Sequence, residues 1–269
     1  MELQVLVASS RMNSIDSLLK MNIQANTIVF NQGNSVFYQS KNINHHNYEF
    51  YSTRTIGVGV NRNLAIEISN ADIILFSDDD LCYVDDLEDL VISAFERHPD
   101  ADGIVFNLGS PGSGKPSLSE KKLHLFNSLG FGAPRLAVKK ASIIRENIRF
   151  SDLFGGGCRY SSGEDSLFIS EMFKAGLKLY SCPCVIATIV SSESTWFHGY
   201  NSKYYFDKGA LFYSMFPIIF PFICIQDLLR HPFYKRCDLR FFQAFLLMIN
   251  GARSFTKNKS FSDTYPLNC

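Results

Sequence analysis

The chain has 269 residues, 46% of them hydrophobic, which is enough for one large domain or a domain with an extension. Its 26 basic residues balance its 26 acidic ones, so it lacks the basic excess or stripe of a nucleic-acid binder, and nucleic acid is set aside as a partner. Seven cysteines, an odd number with no CxxC pair, read as thiols in a reducing, cytoplasmic compartment.

"MELQVLVASSRMNS" has no basic n-region and too short an apolar run for a signal peptide. Its residues 3–9 read instead as a buried first strand. Ser14 is placed to N-cap a helix over 14–23. "NTIVFNQG" (26–33) is a second strand, and the glycine-rich entry at Gly57 and Gly59 opens a helix over 59–69. A strand over 71–77, a helix over 84–98 and a strand over 102–109 follow. Further on, "SSGEDSLFISEMFKAGLKLYSCP" (161–183) gives turn, helix, a stop at Gly176 and a short strand, and 185–190 reads as one more strand. Strands and helices alternating at short spacing predict an α/β domain with a mostly parallel sheet. In such sheets ligands gather beyond the carboxyl ends of the strands.

One of those ends reads "ILFSDDDLCY". Asp78, Asp79 and Asp80 cannot all stay ionised side by side without a counter-charge. A divalent cation supplies one, and aspartate oxygens suit Mg2+ or Mn2+ with phosphate oxygens completing the shell. A solvated acidic turn is the plainer alternative. "GSPGSGKPS" (109–117) approaches a P-loop, but Pro116 stands where a hydroxyl should reach Mg2+. A dinucleotide site needs glycines after the first strand, where this chain has "ASSRMN". Arg62 could neutralise phosphate or stack on a base, or be an ordinary surface arginine. Glu164 and Asp165 begin a helix, where acidic side chains commonly complement the dipole. The preceding run Gly155–Gly157 would also let a ligand approach the backbone closely, with a carboxylate nearby to serve as general base. His198 could complete a metal site or be structural.

Together "VLVASS", "GVGVNRNLAIEISNADIILFSDDD" and "FGGGCRYSSGEDSLFISEMFKAGLKLYSCP" resemble the inverting family-2 glycosyltransferases of the GT-A fold, particularly bacterial capsular, exopolysaccharide and O-antigen sugar transferases. The resemblance runs from the first strand to about residue 210. It implies a GT-A domain over 1–205, a helical, aromatic-rich extension over 206–269, and transfer of a sugar from a nucleotide-diphosphate sugar to a saccharide acceptor. It also implies roles. Asp80 would bind Mn2+ or Mg2+, with His198 as a further ligand. Asp78 and Asp79 would face the donor, and Ala8, Ser9, Ser10 and Arg11 would line the base. Arg62 would lie near the base or diphosphate. Asp165 would be the catalytic base, with Glu164 positioning the acceptor. Many members carry an acidic residue after the second strand that reads uracil. Asn31-Gln32 stands there in this chain, so UDP is implied less firmly than the sugar nucleotide itself. A nucleotide-sugar hydrolase, a nucleotidyltransferase and an inactive binding module stay open beside the transferase.

"ALFYSMFPIIFPFICI" (210–225) is apolar but broken by Pro217 and Pro221, and it is short of the roughly 20 residues a spanning helix needs. Basic residues scattered through 227–255 suit a helix lying in the headgroup region. The expectation is peripheral attachment to the cytoplasmic face of the plasma membrane through 210–255, where the acceptor would be lipid-linked. The plainer alternative is that both segments pack as core.

Overall fold

The structure is a computed structural model and describes residues 1–109, 116–117, 119–190 and 199–265. In chain order its elements are β1 (Leu3–Ser9), β2 (Asn26–Gln32), β3 (Phe37–Ile43), β4 (His46–Thr53), α1 (Val58–Ile68), β5 (Ile73–Asp78), β6 (Leu81–Tyr83), α2 (Leu87–Arg97) and β7 (Gly103–Leu108). Then come β8 (Lys121–Lys122), α3 (Leu125–Ser128), β9 (Leu136–Lys139), α4 (Lys140–Arg145), α5 (Glu164–Lys174) and β10 (Leu179–Ile189). The chain closes with α6 (Ser202–Met215), α7 (Phe220–Arg230), α8 (Phe241–Thr256) and α9 (Phe261–Thr264).

The strands form one sheet in the order β3-β4-β2-β1-β5-β9-β7-β10-β6, with β8 paired to β10. β4, β2, β1 and β5 run parallel; β9 runs against both β5 and β7, which is itself parallel to β10. Alternation along β1 sends Val5 and Val7 to one face, against Val91 and Phe95 of α2, and Leu6 to the other, against Ala65 and Ile66 of α1. Both faces are covered, as a parallel sheet requires. The mixed α/β architecture is the one expected.

Several local expectations change. The segment after Ser14 is a short 3-10 turn, Ile15–Met21, stopped by Asn22 in the left-handed region at φ 51°. The short strand expected at the end of 161–183 and the strand expected over 185–190 are one strand, β10, whose register against β7 slips between Ser181 and Val185. Cys182-Pro183-Cys184 forms that bulge rather than a break, since proline fits where a ladder bond is already missing. The β3–β4 hairpin gave little signal in the sequence. β3 is mostly exposed and polar, and its turn uses Asn44 and His45, both at positive φ, where Asn-Gly is the usual pattern.

α6 and α8 cross unusually closely. A Cβ added to Gly209 would sit 1.9 Å from the Met248 carbonyl oxygen, and one on Gly251 would sit 1.8 Å from that of Phe206. Each glycine therefore exists to admit the other helix's backbone. Gly209→Ala should lower stability by about 1–3 kcal/mol or more, as overpacking does. A thermal melt indistinguishable from wild type would show that the helices can separate without cost.

Candidate active site at the strand ends

The candidate residues converge because of register. Ala8 of β1 pairs with Asp78 of β5, and Ser9 pairs with Asn31 of β2, so three parallel strands end at one place. Ser9 is buried and organises the turn beyond β1. Its Oγ donates to Asp79 Oδ2 at 2.6 Å and accepts from the backbone N–H groups of Arg11 and Met12, each at 3.1 Å. Arg11 forms an ion pair with Asp79. Ser10 is exposed. Asn31 is 4% exposed, and its Oδ1 has no hydrogen-bond partner among the described residues. Asp79 thus has its counter-charge within the chain, and it joins the β1 and β5 ends.

Asp78 is held from the other side by Arg62, which reaches up from α1. Arg62 is only 2% exposed. Its Nη2 donates to Asp78 Oδ1 at 2.8 Å, and its Nη1 donates to Asp165 Oδ1 at 2.7 Å and to Glu164 Oε1 at 3.4 Å. The guanidinium also lies over the Phe150 ring, 5.1 Å from its centre. Arg62 reaches carboxylates 16, 102 and 103 positions away in sequence, so the strand-end aspartates and the acidic start of α5 form a single site. Arg62 is turned inward onto the carboxylates.

One cation facing three carboxylates leaves an excess of negative charge. Burial, aided by Asp165, raises the Glu164 carboxyl to about 7 against the pull of Arg62. The crowded strand end raises Asp78 too, by desolvation and again opposed by Arg62, although its side chain is still 42% exposed. Asp80 is also raised, first by burial and then by Asp79. It forms no ion pair with any described residue, and its backbone oxygen accepts from Val190 N–H at 2.8 Å, which fixes the end of β10 beside it. Groups that hold protons so readily are short of positive charge, and this donor set fits a hard divalent cation. Among the described residues no three His, Cys, Asp or Glu side chains cluster as a closed metal site. His198 lies outside the described residues.

Gly155 and Gly156 of the Gly155–Gly157 run are also needed by the protein's own packing. A Cβ at Gly155, whose φ is 113°, would strike Glu164 Cδ at 2.9 Å. Gly156 accepts from Val58 N–H at 3.1 Å and so pins the start of α1. Gly163, the N-cap of α5 at φ 110°, lies against Leu211 of α6. The turn before it is tied to α6 as well: Asp207 Oδ2 accepts from Ser161 N–H at 3.0 Å and from Ser161 Oγ at 2.5 Å. Phe150, Ser161 and Asp207 are supporting residues that carried no sequence signal, because each matters only through a partner distant in the chain. Gly132 lies near Asp165, and its chain neighbour Phe131 lines a cavity of about 330 Å³ whose walls also include Lys121, Asn127 and Arg135.

No family profile matches the sequence, and neither does any curated protein. Solved structures do. S. aureus TarS, residues 1–349 in complex with UDP-GlcNAc, matches with a TM-score of 0.61 at 14% identity, over 97% of this chain and 93% of that one. The same protein with UDP gives 0.57 at 16% identity, covering 98% and 74%. A mannosyltransferase, PcManGT of Pyrobaculum calidifontis, in complex with GDP-Man and Mn2+, gives 0.52 at 10% identity, covering 98% and 77%. The fold is that of the GT-A glycosyltransferases. At such identities the likeness concerns the fold alone, and the chemistry has to be argued from the site.

Proposed function

We propose that this chain is a metal-dependent inverting glycosyltransferase of the family-2 type that moves a sugar from a nucleotide-diphosphate donor to a saccharide acceptor in surface-polysaccharide synthesis. The observation that carries the proposal is the joining of the Asp78–Asp80 strand end to Glu164 and Asp165 through buried Arg62. Neighbours of the same fold bind UDP-GlcNAc or GDP-Man, the latter with Mn2+, which supports a nucleotide sugar as donor.

In this reading Ala8 to Arg11 and Asn31 line the base and ribose, where Asn31 Oδ1 offers a buried acceptor awaiting a donor. An amide presents both donor and acceptor, so Asn31 suits uracil or guanine edges without a charge. Asp80, with Asp78 beside it, would hold the cation, whose positive charge stabilises the departing diphosphate. Asp165 removes the proton of the acceptor hydroxyl as that oxygen bonds to the anomeric carbon and the bond to the diphosphate breaks. One displacement from the opposite face inverts the carbon. Glu164, more deeply set and with a raised affinity for protons, orients the acceptor. The cavity beside Gly132 offers an aromatic face at Phe131 and polar groups at Asn127 and Lys121, a lining that suits a sugar ring.

The test is calorimetric titration of UDP-GlcNAc and GDP-Man with and without Mn2+. One of them should bind more tightly with Mn2+, and Asp80→Ala should reduce its affinity to the metal-free level while the thermal melt stays cooperative. Full Mn2+-dependent affinity in Asp80→Ala would remove Asp80 from the metal site. Donor turnover in the absence of any acceptor, at the rate seen with one, would turn the assignment to a hydrolase.

A further inference from the structure

We propose that the outward faces of α7 and α8, with the basic residues between them, dock this chain onto an anionic lipid bilayer. The inner faces of the two helices are spoken for: Cys224 and Leu228 of α7 and Ala244 and Met248 of α8 bury together against Tyr205 of α6. The outer faces are apolar as well. Phe222 and Leu229 are 73% and 69% exposed and, seven residues apart, return to one side of α7, while Ile218 in the turn just before the helix is 90% exposed. On α8, Phe242 and Leu246, one turn apart, are 75% and 57% exposed. Side chains of this size rarely stand in water on a monomer in such concentration unless something covers them.

Charge identifies the cover. The connection between the helices carries Arg230, Lys235, Arg236 and Arg240, all exposed, and none forms an ion pair with a described residue. The nearby Asp227 is already neutralised by Lys208 at 2.8 Å, which leaves Asp238 as the acidic side chain of that connection. The chain as a whole is neutral, so this excess is regional. Aromatic and aliphatic side chains on one face, with Arg and Lys at the helix ends, match a helix lying at the headgroup level of an anionic leaflet. The 11 residues of α7 are too few to span a bilayer, and among the described residues no helix is long and apolar enough to cross one.

The face also belongs to the same packed unit as the candidate base. α6 carries α7 and α8 on one side, while its Leu211 and Asp207 grip Gly163 and Ser161, immediately before Glu164 and Asp165. Docking would therefore hold the acceptor side of the site at the membrane. Resting on the glycosyltransferase reading, this implies an acceptor sugar borne on a lipid; the docking itself does not depend on that reading.

Sedimentation with phosphatidylcholine vesicles, with and without phosphatidylglycerol, at low and high salt, tests the proposal on the full chain. Binding should require phosphatidylglycerol and weaken with salt. Phe222→Ser with Leu229→Ser and Phe242→Ser should abolish it, and Arg230→Gln with Lys235→Gln and Arg236→Gln should weaken it by more than about tenfold. All six positions are solvent-facing, and circular dichroism checks that the variants stay folded. Protein that remains in the supernatant with every vesicle overturns the proposal, as does equal, salt-insensitive binding to neutral vesicles. A lipid-free dimer in analytical ultracentrifugation that the serine variant dissolves also overturns it, because the face then belongs to a second copy. Mn2+-dependent donor binding, measured on the same preparations, reads the glycosyltransferase proposal separately and should be unchanged in both variants.

Discussion

Asp165→Asn should leave donor affinity near wild type and slow sugar transfer by about 10²–10⁴-fold, the usual contribution of a general base. Two carboxylates begin α5, and the structure distinguishes them. Glu164 is the more enclosed, with 12% of its side chain exposed against 24% for Asp165. It lies under Gly155, where no side chain could fit, and its raised proton affinity comes first from that burial. Asp165 gives one oxygen, Oδ1, to Arg62, while its Oδ2 lies on the Gly132 side, where a Cβ added to that glycine would come within 3.5 Å of it. Asparagine keeps the shape, and its carbonyl oxygen can still accept from Arg62, but it cannot take a proton. The donor groups at the β1 and β5 ends are untouched. The measurement is single-turnover transfer alongside calorimetric donor binding. Glu164→Gln should cost less than Asp165→Asn. If Asp165→Asn transfers normally and Glu164→Gln is dead, the two roles are exchanged.

Much of the fold is legible in the sequence, and the reason is physical. Strands buried on both faces, such as Leu3–Ser9 and Ile73–Asp78, announce themselves by unbroken apolar runs, and their carboxyl ends mark where the candidate residues gather. The DDD cluster and the GED start of α5 could be named because charge beside a buried strand or a glycine entry is unusual locally. What could not be read was the partner of each group. Asp79 is satisfied by Ser9 and Arg11, about 70 residues earlier, and Gly155 before α5 makes room for Glu164. The helical extension was ambiguous for a similar reason. Phe222 and Cys224 are equally apolar in sequence, and only the packing of α7 on α6 turns one outward and the other in.

Arg62 is where this limit matters most, and its replacement should be the most damaging to the fold. As a sequence position it is an arginine on an amphipathic helix, suited to a phosphate or a base. In the structure it is the buried counter-charge of Asp78, Glu164 and Asp165, stacked on Phe150. Arg62→Met keeps most of the apolar stem but leaves three carboxylates facing one another. Removing the cation from a fully buried ion cluster costs about 3 kcal/mol or more, and here the cost is smaller because Asp78 is 42% exposed and reached by solvent. Part of that cost can be relieved by protonation, because Glu164 at about 7 and Asp78 at about 6 already hold protons above the ordinary carboxylate range, and loss of Arg62 moves both further up. In the folded state these groups keep protons that the unfolded chain has released, so stability falls as pH rises through that window. Arg62→Met should therefore melt well below wild type at pH 8 and recover part of the difference at pH 5. Arg62→Lys should be intermediate, since an ammonium supplies charge without the planar fork that reaches Asp78 and Asp165 at once. If instead Arg62→Met melts like wild type at pH 8 and loses only donor affinity, the guanidinium serves the nucleotide and not the junction of the two halves of the site.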